Sequence, residues 1–256
     1  MNSLPASTGW DWLKQGIGLF RKQPAALTTL LFANILVSVF LSIVPYLGPL
    51  LSTILIPSLS IAYMQACLMI ENGTRVTPAV LLTGFRQPAL AALCKIGLIY
   101  VGLGLVEMSV VALSMGPEFF QKIAARQADP KAAESLSSEV LVFLLIGLLN
   151  VVMMVTLYFA APLAFWKRMT TGKALFYSFF AVVRAARVFL VLLLAWFGIL
   201  MAIVMAVLLL FGDAAIGRVV AVWLVFLFML LLQCALYAGY RTIFGKPADD
   251  SAPKPA

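Results

Sequence analysis

Six runs of mostly apolar residues, at about 25–44, 50–70, 88–115, 139–166, 188–211 and 219–240, constrain this chain more than any other feature. A hydrocarbon core of roughly 30 Å takes about 20 apolar residues in a helix. Each run meets that length, so the expected fold is all-α: a polytopic membrane protein with six transmembrane helices. Composition agrees, because only 11% of the residues are charged and the mean hydropathy is +1.06, whereas soluble domains carry about 25% charged residues.

The runs are divided by short polar signals. Pro45, Gly48 and Pro49 in PYLGP place a tight turn between the first two, since proline and glycine cannot continue a helix there without cost. The longest polar stretch, residues 116–138, separates the third and fourth runs and reads as a loop, and GDAAIGR separates the last two. Residues 1–245 form one expected membrane domain, and KPADDSAPKPA at 246–256 an expected disordered tail. MNSLPASTGW lacks the basic and apolar regions of a cleavable signal, so retention of the N-terminus is expected.

Lys and Arg fix the expected orientation. Fourteen of the eighteen lie on one side of the alternating spans, leaving Lys122, Arg126, Lys131 and Arg218 on the other. The rich side is expected in the cytoplasm with both termini, facing anionic phospholipid. The basic balance does not indicate nucleic acid, because the charges punctuate apolar runs instead of forming a patch on a soluble domain.

Each cytoplasmic approach to the odd-numbered spans looks alike. WDWLKQGIGLFRKQP spaces Trp10, Leu13, Ile17 and Phe20 on one helical face, as an amphipathic interfacial helix does. Thr8 with Asp11 fits a capping box ahead of it. TPAVLLTGFRQP, with Thr77 as N-cap and Pro78 at the first helical position, and TGKALFYSFFAVVRAAR repeat the theme. The three end at Arg21, Arg86 and Arg184, and Trp10, Trp12, Arg21, Lys22, Arg86, Arg184 and Arg187 are the expected membrane anchors. A threefold repeat of one amphipathic segment and two spans results, with every unit starting and ending on the same side.

GWDWLKQGIGLFRKQP, PYLGPLLSTILIPSLS and TPAVLLTGFR together resemble an uncharacterised family of six-span inner-membrane proteins of proteobacteria. More remotely, the chain is similar to the membrane domain fused to some bacterial glycerophosphodiester phosphodiesterases. The resemblance implies the bacterial inner membrane and a multi-pass fold, and carries over no catalytic residue. The fused enzymes hold their chemistry in a separate barrel, and this chain has neither its length nor its carboxylate and histidine cluster.

The residues offer little for catalysis. There is no histidine, the commonest general base and metal ligand. Cys67, Cys94 and Cys234 have no zinc-like or disulfide spacing. Neither a metal nor a cofactor is implied. The one acid deep in a run is Glu107, which shares a helical face with Tyr100, Gly104 and Ser114. An intramembrane carboxylate raises the question of an ion or substrate path. Lys95 is twelve residues away, about 120° around the helix and roughly 18 Å along it, so any partner must come from another span. Asn150 and Gln65 are the nearest in kind, and Asn34 and Gln233 mark other spans. Such amides serve mainly as interhelical fasteners.

The expected function is therefore non-enzymatic: a scaffold or membrane-organising protein associating with itself or with other membrane proteins. The alternative is a small-solute or ion transporter using Glu107. Reporter fusions after residues 75 and 170 should give the cytoplasmic signal, and a fusion within 116–138 the external one. An external signal at either of the first two sites would overturn the orientation.

Overall fold

The computed structural model describes residues 4–45, 47–128, 137–212 and 214–247, with side chains described outside 114–143 and positions 145, 152, 154 and 156. The elements run α1 (Thr8–Lys22), α2 (Pro24–Ser42), α3 (Leu47–Glu71), a 3₁₀ helix (Pro78–Phe85), α4 (Ala89–Ala128), α5 (Ser137–Tyr158), α6 (Ala160–Trp166), α7 (Thr171–Arg184), α8 (Ala186–Phe211) and α9 (Ala215–Phe244). Among the described residues there is no strand. Five helices there, α2, α3, α4 to Leu113, α8 and α9, are long and apolar enough to cross a membrane.

The expected run 139–166 corresponds to two helices, α5 and α6, separated at Phe159. Pro162 accounts for the break. It has no N–H to bond to the carbonyl four residues back, that of Tyr158, and its ring crowds that carbonyl. Pro57 sits within α3 without ending it. The stretch 116–138, read above as a loop, is helical as far as Ala128, because α4 continues through the helix-forming sequence QKIAARQA. Residues 129–136 and most of the expected tail, 248–256, lie outside the described residues.

The buried core gathers at one end of the bundle, where Arg21, Arg86, Arg168, Arg184 and Arg241 lie on the lead-in segments and helix ends. α3 is central there: Ile61 through Leu68 are all buried. A helix apolar on all sides must be enclosed by others, and α3 packs against α1, α2, α4, α6, α9 and the 3₁₀ helix. Toward the opposite end, where α2 turns into α3, the helices expose Phe40, Ile43, Leu113, Leu209 and Leu210.

α1 departs from the expectation of a helix lying on the lipid surface. It packs along α9 and α8, burying Gly9, Trp12, Leu13, Gly16 and Leu19. Trp12, expected as an anchor in the interface, is 0% exposed. Its indole donates to Thr242 Oγ1 at 3.1 Å and its ring meets Phe189 edge-on at 5.3 Å. Trp10 is 41% exposed, with Lys14 over its ring, so only this tryptophan keeps an outward position. Gly16 sets the depth of the contact, because a Cβ there would lie 2.6 Å from the backbone nitrogen of Ala235. Close helix approach at a glycine is how membrane helices maximise packing without a hydrophobic drive. No side chain caps α1. A backbone turn in which Thr8 N donates to Pro5 O at 3.0 Å occupies the place of the expected capping box.

The second lead-in is a 3₁₀ helix of eight residues, beyond the usual three or four. Thr77 stands at its N-cap without a side-chain bond. It buries Val80 and Gly84 against α3, and a Cβ on Gly84 would lie 2.1 Å from Ser58 O. The chain then passes a cis Gln87–Pro88 bond into α4. The third, α7, buries a narrow face of Ala174, Ser178 and Val182 against α5 and α6 and turns Phe176, Tyr177, Phe179 and Phe180 outward. Each lead-in thus packs on the helix or helices that precede it in cyclic order: α1 on α9, the 3₁₀ helix on α3, α7 on α5 and α6.

Removing a buried tryptophan costs about 3–5 kcal/mol, whereas an exposed one contributes little. Trp12→Ala should therefore lower the thermal midpoint of the detergent-solubilised protein strongly, and Trp10→Ala by a degree or two at most. Equal effects would place both rings in the interface.

Candidate functional site

The expected intramembrane site is brought together only in part. Asn150 of α5 donates from Nδ2 to Glu107 Oε1 of α4. The acid thus finds its partner on the adjacent helix, as the separation from Lys95 required. Glu107 is half-buried and Asn150 exposed, so the pair lies on the flank of the bundle. Tyr100, one face with Glu107 in sequence, is used differently: its hydroxyl donates to Leu157 O at 3.2 Å. The break after Tyr158 leaves carbonyls in that turn without their usual helical donors, and in hydrocarbon such groups need an internal partner. Tyr100 supplies one. The side chain of Ser114 lies outside the described residues.

Gln65 does not join Glu107. It is buried in α3 near the basic end, where its Oε1 accepts from Trp166 Nε1 at 3.1 Å. The other amides are matched in the same way. Asn34 Nδ2 donates to Tyr63 Oη at 3.0 Å, and Tyr158 donates to Gln233 Oε1. Every one of these bonds crosses between helices.

Sequence reasoning missed a polar network at the end of α3. Glu71, the last residue of α3, accepts from Tyr237 Oη at 2.5 Å and pairs with Arg241, and Arg241 Nη2 also donates to Gln15 Oε1 of α1 at 2.6 Å. Arg241 thereby joins α9 to α3 through Glu71 and to α1 through Gln15. The signal was present: Tyr237 and Arg241 stand four apart, on one face of a helix, and an acid closes an apolar run at the basic end. Glu71 side-chain exposure is 18% and that of Arg241 35%, so water screens the pair only in part. Nearby, Gln23 donates to Thr74 O at 2.8 Å and accepts from Val76 N at 3.0 Å, which ties the α1–α2 junction to the segment before the 3₁₀ helix. Phe159 contacts Phe189, Tyr240 and Phe244 inside this girdle. Of the remaining expected anchors, Arg21, Lys22, Arg86, Arg184 and Arg187 are all exposed.

Long apolar helices, enclosing one another at one end and displaying aliphatic and aromatic side chains elsewhere, define a multi-pass integral membrane protein. Over 97% of its length, the chain is 31% identical to a probable inner membrane protein of Burkholderia thailandensis, of which the match covers 95%. The chain belongs to that protein's family and to the inner membrane. No family model matches the chain, and no solved structure does.

Glu71→Gln and Arg241→Gln should be strongly non-additive. A double-mutant cycle on unfolding in detergent is expected to give a coupling of about 1–3 kcal/mol. Glu107→Gln, which keeps an acceptor for Asn150, should cost less than about 1 kcal/mol. Additivity of the first pair would remove Glu71 from the centre of the network.

Proposed function

We propose that the protein is a non-enzymatic, membrane-organising component of the inner membrane, working through association with itself or with other membrane proteins. The observation that carries this reading is that Glu107 and the side-chain amides within the bundle are each paired with a side chain of another helix. Glu107 with Asn150, Asn34 with Tyr63, Gln65 with Trp166 and Gln233 with Tyr158 each link two helices. That is the pattern of fasteners, each worth about 0.6–2 kcal/mol, and it supports a fixed bundle more than a moving one.

In this proposal α5 is the fourth of six spans, completing the set with the five helices already described. The basic end lies in the cytoplasm, where exposed Arg21, Lys22, Arg184 and Arg187 meet anionic phospholipid. The outward aromatic face of α7 then lies at the headgroup level, where amphipathic rings are favoured. The remote likeness to the membrane domain of certain phosphodiesterases fits a module without catalytic equipment of its own.

The reading is tested by in-cell cross-linking followed by native mass spectrometry of the solubilised protein. A defined oligomer or a reproducible membrane partner is expected. A lone monomer without any cross-linked partner contradicts the proposal. In proteoliposomes, a solute or ion flux abolished by Glu107→Gln, with the fold retained, would establish the transporter alternative in its place.

A further inference from the structure

A pocket of about 410 Å³ opens at the basic end, between α3, the junction of the 3₁₀ helix with α4, and the turn from α6 into α7. Its polar lining is rich in donors. Arg86 and Arg168 supply two guanidinium groups, Gln87 an amide and Thr83 a hydroxyl. Gln65 lines it too, and since Trp166 already occupies its Oε1, its amide N–H groups are the half left for the pocket. No aspartate or glutamate is among the lining residues. Neither Arg86 nor Arg168 has an acid partner among the described residues.

Arg168 is also held in an unusual conformation. Its φ is +48°, the one positive value at a non-glycine position among the described residues. It follows the C-terminus of α6, a place where glycine is the ordinary choice because a side chain in the left-handed region is strained. Backbone strain of this kind clusters at active sites and ligand clamps. The rest of the wall is apolar, with Ala92, Ala164, Phe165 and Met169 beside the indole of Trp166.

We propose that this pocket binds a phosphate-bearing anion. Two guanidinium forks match phosphate oxygens in charge and geometry, and the apolar wall suits the acyl or glycerol part of a phospholipid. The site deepens the membrane-organising reading by naming a discrete headgroup site. It rests on that reading only for the leaflet that supplies the lipid. Binding to purified protein is independent of orientation and of partners, so either conclusion can fail without the other.

The test uses the full chain in a neutral detergent, with short-chain phosphatidylglycerol, phosphatidylcholine of the same chains, and inorganic phosphate as probes. Calorimetry should show one equivalent of phosphatidylglycerol bound at least about tenfold more tightly than phosphatidylcholine, with a loss of about tenfold or more in the Arg86→Gln/Arg168→Gln variant. The control Arg21→Gln/Arg187→Gln, which removes equal charge outside the pocket, should leave affinity within about twofold. Competition by inorganic phosphate at the same arginines assigns the site to a free phosphate, and its failure to compete assigns it to the lipid headgroup. Either result supports an anion site. Arg168→Gly separates use from structure: it should raise the thermal midpoint while weakening binding. Equal loss in the control variant, unchanged affinity in the pocket variant, equal binding of phosphatidylcholine, or a lowered midpoint in Arg168→Gly would overturn the proposal.

Discussion

The packing of α1 on α9 is the contact on which the basic end depends. It joins the first helix to the last, and it is made by a tryptophan with no exposed surface, a glycine that admits the backbone of Ala235, and Arg241 of α9, which donates to Gln15 of α1 while pairing with Glu71 of α3. Bringing chain ends together has an entropic cost that grows slowly with the length between them. Once paid, it sets α3 against the packed α1–α9 pair and gives Glu71 both Arg241 and Tyr237. The aromatic group around Phe159 then closes the same end.

The same device recurs with different local structures. An α-helix, a 3₁₀ helix and a second α-helix each bury small residues against the helix or helices that precede them in cyclic order: Gly16, Gly84, and Ala174 with Ser178. Small residues permit the close backbone approach that supplies packing energy in a bilayer, where burying apolar surface gives no gain over lipid. Toward the other end the helices expose their leucines and phenylalanines, as lipid contact requires. The molecule buries most of its core at one end, and its helices expose more of their apolar surface toward the other.

Much of this was legible in the sequence. The apolar runs located the long helices, the turn at Pro45 separated α2 from α3, although Gly48 and Pro49, expected in that turn, stand in the first turn of α3, and the three lead-in segments stood where the arginines placed them. The partner of Glu107 had to come from another span, and Asn150 supplies it. Other features needed three dimensions. The apolar face drawn through Trp10, Leu13, Ile17 and Phe20 is offset from the face that is buried, which centres on Trp12 and Gly16. A periodicity count weighs side-chain apolarity and cannot score a glycine that matters because it is small. Pro162 was visible, but the site of the resulting break, and the use of Tyr100 to serve the carbonyl of Leu157, depend on which helix lies alongside. Glu71 escaped notice because a charge at the end of an apolar run is ordinarily a solvated terminus.

The central claim is that α1 belongs to the protein core and is not a helix resting on charged lipid. Hydrogen exchange of α1 in lipid nanodiscs, at low salt and at 1 M, tests it most directly, since the screening length falls to about 3 Å at 1 M. The amides of Trp12 to Leu19 are expected to be protected as strongly as those of Cys234 to Tyr240, at both salt concentrations. Rapid exchange in α1, or protection that collapses at high salt, would contradict the account.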